Sequence, residues 1–196
     1  MKVRIEVITL YRYFAYAAHM RELLRRALDN ESLKMLKDEM SVVLLLFYSP
    51  LGMYLMYSYS GIYLVIEGWK ELKLKDPEID RLIDSPLVDR LRRFRNATFH
   101  YQKDPISLKH LEFFGTEEEK TELWLNELYA EFSRFFLENT LPLPARLKHS
   151  LKGKTHVEIL KAIRDYWFSE EHSIKALESD LRFPVDAGPE TPEGCC

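Results

Sequence analysis

Cysteine is nearly missing from this chain: its 196 residues include two, the adjacent Cys195 and Cys196. Two neighbouring thiols build neither a disulfide framework nor a paired-cysteine metal site, which excludes the disulfide-stapled secreted class and fits a reducing cytoplasm. Glycine is scarce as well, at seven residues, and none of them forms a phosphate-cradling loop or a serine elbow. The chemistry of P-loop enzymes, dinucleotide oxidoreductases and serine hydrolases is therefore not expected. Charge of one sign is not in large excess, since 28 Lys and Arg face 31 Asp and Glu, a net charge of −3. Any contact with nucleic acid must come from a local patch, not from the field of the whole protein. Among the histidines away from position 100, His19, His110, His149, His156 and His172, none pairs with another at a four-residue interval beside an acidic cluster, so no metal site is read and no cofactor is called for. The opening residues Met1-Lys-Val-Arg-Ile-Glu carry charge where a signal peptide has its apolar core, and a cytoplasmic protein is expected.

Stretches of strict two-residue alternation long enough for a sheet strand are also lacking, which leaves helix. With 46% hydrophobic and 30% charged residues, the chain reads as one all-α domain, an antiparallel helical bundle over residues 1–182 followed by a disordered tail at 183–196. Residues 3–28 repeat apolar positions near helical spacing at Ile5, Ile8, Tyr11 or Arg12, Ala15, Ala18 or His19, Leu23 and Leu24, and Leu28. A long second helix starts near Glu31 and is kinked or broken at Ser49-Pro50, with its continuation reaching about Leu74. Asp76-Pro77 caps a short helix to Ile83, and Ser85-Pro86 launches the next, which Asp104-Pro105 must end. Residues 105–115 read as a connection. Capping boxes at Thr116/Glu119 and Thr155/Glu158 open two further helices, the first running to about Asn139 with Leu125, Leu128, Phe132 and Phe135 or Phe136 inside. The segment 141–182 reads as a helical extension.

From Ser41 to Ile66 run 26 residues without one charge, long enough to cross a bilayer. Ser49-Pro50, Gly52, Gly61 and five tyrosines spread through the run argue instead for helices buried in a bundle or a dimer interface, and a membrane partner is not expected.

Chemistry converges in one place, Leu91-Arg-Arg-Phe-Arg-Asn-Ala-Thr-Phe-His-Tyr-Gln102. From Arg81 to Lys103 six basic residues face two acidic ones, a local excess of four in an acidic chain. At 100° per residue Leu87, Leu91, Phe94, Thr98 and Tyr101 form the stripe that faces the core. Asp89, Arg93, Asn96 and His100 then line the opposite side. Asn96 and His100 are four apart and neighbours on that face, whereas Arg95 and His100 are separated by about 140° of helix. A polar face of this kind also serves as a plain solvated surface.

Arg95, Asn96 and His100 resemble the arginine, polar residue and histidine motif of the HEPN (higher eukaryote and prokaryote nucleotide-binding) superfamily, and Glu67-Gly68-Trp69-Lys70-Glu71-Leu72 resembles the lead-in of related bacterial proteins. The resemblance covers about residues 5–140. It implies a homodimeric helical bundle and a metal-independent endoribonuclease with no cofactor, in which the RNA 2′-hydroxyl attacks the adjacent phosphate. In that reading Arg95, Asn96 and His100 are catalytic, and Arg92, Arg93 and Lys103 bind substrate phosphates. The same resemblance implies a defence or toxin-like setting with an antitoxin or other protein partner. Some toxin members carry a modified tyrosine two positions after the histidine; here Gln102 stands there, and Tyr101, one position off, falls on the expected core stripe. The alternative is a helical module of the same kind without catalysis, binding nucleic acid, nucleotide or a protein.

Overall fold

The computed structural model describes residues 5–28, 49–103, 107–114, 118–140 and 143–167. They form helices α1 (Ile5–Leu28), α2 (Pro50–Glu71), α3 (Pro77–Ile83), α4 (Leu87–Phe99), α5 (Leu108–Phe114), α6 (Glu118–Asn139), α7 (Ala145–Ser150) and α8 (His156–Trp167), and no strand occurs among the described residues. The all-α class is thus as read from the sequence. The helix expected from Glu31 to Phe47, the Thr116/Glu119 box and the tail lie outside the described residues. The chain divides into two compact units, one ending at Glu158 and one beginning at Ile159.

In the first unit α1 and α2 pack antiparallel, and glycine sets their separation. A Cβ on Gly61 would stand 2.9 Å from the Cβ of Ala17, and one on Gly68 would stand 2.4 Å from Leu10 Cδ1. The missing side chain at Gly61 lets the helix backbones approach closely, and the one at Gly68, seven residues on along the same face, makes room for the Leu10 side chain. This contact corrects the expected inner face of α1. Ile5, Ile8 and Leu28 are exposed, and the core residues are Val7, Leu10, Phe14, Ala17, Ala18 and Leu24. The sequence holds two overlapping apolar registers, and the glycine face of α2 takes the one that offers Ala17.

Pro50 starts α2 afresh, so the uncharged run is divided at Ser49-Pro50. Among the described residues no helix is long and apolar enough to cross a membrane. The apolar length of α2 is spent on protein contacts: Leu51, Leu55, Tyr59, Ile62, Tyr63, Val65, Ile66 and Trp69 are all buried. Trp69 packs edge-on against Phe132 and Phe135 of α6, and its indole N–H donates to Asp80 at 3.0 Å. The inner face of α6 is the expected one, Leu125, Leu128, Phe132, Phe135 and Phe136.

Two caps appear as the sequence indicated. Asp76 accepts hydrogen bonds from the N–H groups of Glu78 and Ile79 at the start of α3, and Thr155 and Glu158 bond each other reciprocally. The connection expected at 105–115 instead contains α5, which buries His110 and Phe113 against Phe94 with ring centroids 4.8 and 5.3 Å away. An aromatic pair three residues apart makes a one-sided helix even in a short segment.

Candidate nucleic-acid site

Helix α4 presents the candidate residues, and its core side is settled by Leu87, Leu91, Phe94 and Ala97, all buried. Thr98 is half-buried: its hydroxyl donates to Phe94 O at 3.1 Å and lies 3.3 Å from His110 Nε2. Burial among these groups lowers the His110 pKa. Tyr101, expected on the core stripe, is 91% exposed. The reason is that α4 ends early. His100 has left helical geometry, with φ −107° and ψ 141°, four residues before Asp104-Pro105. Beyond Phe99 a 100° step no longer says where a side chain points.

The early end sets the position of His100. Its backbone N–H still donates to Asn96 O at 3.1 Å, and its carbonyl accepts from the Gln102 amide at 2.8 Å. The imidazole is exposed, with no hydrogen-bond partner among the described residues. Phe99 beside it is 46% exposed and meets Tyr57 of α2 edge-to-face at 5.7 Å.

Arg95 turns the other way. One terminal nitrogen donates to Asn96 Oδ1 at 3.0 Å, and the other to Glu67 Oε2 of α2 at 3.0 Å. Its Cζ stands 5.8 Å from the centre of the Tyr63 ring. Its Nε is buried without a hydrogen-bond partner among the described residues. Burial pushes the Tyr63 phenol up, and the neighbouring Glu67 carboxylate adds to the shift. Helices α2 and α4 run antiparallel, with the Phe99 ring against Tyr57 and the Arg95 side chain reaching along α2 to Glu67. Those two anchor points are ten residues apart on α2, about 15 Å along its axis. The structure therefore joins Arg95 to Asn96 but draws its guanidinium away from the end of α4 where His100 stands.

The expected phosphate-binding residues all lie at the surface. Arg92 donates to Asp89 at 2.8 Å, and Arg93 reaches Asp89 at 3.6 Å and Glu112 of α5 at 3.7 Å. The hydrogen bond from Arg92 holds the Asp89 carboxyl below its usual range. These are exposed pairs, each contributing little and easily exchanged for a phosphate oxygen. Lys103 is exposed beyond the helix end.

Comparison of the chain with family models, curated proteins and solved structures finds no match. The site is therefore judged on its own geometry. Sequence reasoning missed two of its members, Glu67 and Tyr63. The signal was present: Glu67 is the first charge after the uncharged run and sits one turn beyond Tyr63, on one face of α2. Among the described residues no group of three His, Cys, Asp or Glu side chains is placed to hold a metal ion. A second concave surface is lined by Phe14, Leu24, Leu55 and Tyr129. It also includes Leu28 and Leu51.

Proposed function

We propose that the chain is a metal-independent endoribonuclease of the HEPN kind that works as a homodimer, a defence or toxin-like effector. The observation that carries the reading is the exposed His100 imidazole, without a hydrogen-bond partner among the described residues, at the end of a helix whose preceding turn holds a hydrogen-bonded Arg95 and Asn96. Histidine exchanges protons near neutral pH and suits general acid–base work. In the proposed step an imidazole accepts the proton of an RNA 2′-hydroxyl as its oxygen attacks the adjacent phosphorus. The P–O5′ bond breaks, the departing O5′ is protonated, and a 2′,3′-cyclic phosphate and a 5′-hydroxyl result. The planar Arg95 fork stabilises charge gathering on the phosphorane oxygens, a role suited to fixed, paired donors. Arg92, Arg93 and Lys103 hold flanking phosphates by charge. DNA lacks the attacking hydroxyl and is not cut.

The separation of Arg95 from His100 along α2 supports the dimer. Within one subunit the Arg95 guanidinium is held at Glu67, and a two-fold arrangement can set the histidine of one copy against the arginine of the other. The test is cleavage of mixed RNAs in the presence of a chelator. His100→Ala and Arg95→Ala should each lower the rate by about 100-fold or more. Mixing and refolding the two inactive variants together should restore about a quarter of the wild-type rate, since half of random dimers are mixed and each carries one intact pair. An inert wild type, or variants that cut as well as wild type, refutes the assignment.

The ion pairs already made by Arg92, Arg93 and Arg95 favour a second reading, a module that binds nucleic acid, nucleotide or a protein without cutting. A salt-dependent gel shift with no cleavage would select it.

A further inference from the structure

Arg95 is confined on several sides, and most of the confinement comes from α2. Its guanidinium has five N–H donors. One Nη2 proton goes to Glu67 and one Nη1 proton to Asn96, while the Nε side is buried and the Tyr63 ring lies 5.8 Å from Cζ. One N–H on each terminal nitrogen remains. Arg95 retains 25% of its side-chain exposure, so the group is only partly withdrawn from solvent.

We propose that Glu67 is a positioning residue of the RNA-cleaving site: its carboxylate fixes the Arg95 fork so that the two remaining N–H donors face the scissile phosphate. This rests on the endoribonuclease reading and deepens it by adding a residue outside the arginine–histidine motif. A free arginine carries about 2 kcal/mol of rotamer entropy, which an unanchored fork would lose on meeting its phosphate. Glu67 and Asn96 impose that order before substrate arrives. A carboxylate beside a phosphate site also repels the substrate, so Glu67 acts on geometry at some cost in affinity. A merely structural ion pair at this exposure would instead leave the turnover of the folded enzyme untouched.

The experiment compares the full-length wild type with Glu67→Ala and Glu67→Gln on a single-stranded RNA oligonucleotide, measuring kcat and KM separately. Nitrogen-15 NMR of the arginine side chains, assigned with Arg95→Lys, reads rotation about the Arg95 Cζ–Nη bonds in the same proteins. Glu67→Ala should lower kcat about 100-fold, the scale of a small misplacement of a reacting group, with KM unchanged or lower. Glu67→Gln keeps an oxygen acceptor at the same reach and should recover at least a tenth of wild-type kcat. The slow rotation of Arg95 should persist in Gln and be lost in Ala. A loss expressed through KM alone, an Ala variant that turns over like wild type, or equal Arg95 rotation in wild type and Ala overturns the role of Glu67 while leaving the ribonuclease intact. A wild type that does not cut RNA overturns the underlying reading, and this role with it.

Discussion

His156 should make the protein sensitive to mild acid. It opens α8 with its ring edge-on to Phe14 at 4.9 Å and to Tyr11 at 5.8 Å. Its Nε2 is buried without a hydrogen-bond partner among the described residues. Burial, with a smaller contribution from the charge of His19, lowers its pKa to about 4, whereas an unfolded histidine titrates near 6.5. Between those values the unfolded chain binds the extra proton, so stability is complete above about pH 6.5 and falls as pH drops toward 4. The limiting loss is about 3 kcal/mol, of which about 2 kcal/mol should be gone by pH 5. Urea unfolding of wild type and His156→Gln at pH 7 and pH 5 measures it. Glutamine stays neutral at both, so wild type should lose about 2 kcal/mol more than the variant over this interval. His110, also lowered by burial, contributes equally to both proteins and cancels in the difference. Equal losses in the two proteins would refute the claim that the His156 imidazole is folded in its neutral form.

Other expectations concern packing and capping. Gly61→Ala places a methyl 2.9 Å from Ala17 Cβ, a short side chain that cannot swing away. Overpacking should exceed the gain in helix propensity and leave a net loss of about 1 kcal/mol in denaturant unfolding. Gly68→Ala meets only the tip of Leu10, at 2.4 Å, which can move, so its midpoint should stay near that of wild type. A destabilisation of Gly68→Ala larger than that of Gly61→Ala would contradict the account. Asp76 caps α3 and also receives two 2.8 Å bonds from Arg134 of α6. Burial raises its pKa, but the bonds from Arg134, Ile79 and Glu78 outweigh this and hold it below the usual carboxylate range. Asp76→Ala should cost about 2 kcal/mol by urea unfolding, and Asp76→Asn, which keeps an acceptor at the cap, less than half as much.

How far the site was legible in the sequence follows from what each pattern depends on. The apolar spacing of α4 is local, so Leu87, Leu91 and Phe94 are core as read. Tyr101 was misplaced because the reading carried the helix to Asp104, whereas the chain becomes extended at His100. The uncharged run looked ambiguous because apolar length is the same whether lipid or protein covers it. In the structure the described part of the run meets protein at Ala17 beside Gly61, at Phe94 beside Tyr59 and at Tyr129, whose hydroxyl donates to Ser58 O. The partner of Arg95 could not be read from α4 at all, since Glu67 lies 28 residues earlier.

By itself the sequence determined that the protein is helical, that α3 begins at Asp76-Pro77, that α6 buries its Leu and Phe face, and that basic residues gather near His100. Those properties depend on backbone chemistry and near-neighbour spacing, which the order of residues states directly. Tertiary structure alone decided which register of α1 is core, where α4 stops, and that Arg95 turns toward Glu67 and away from His100. The register of α1 and the direction of Arg95 depend on which distant surface a helix meets, and that is settled by the close approach allowed at Gly61 and by the packing of α2 on α4.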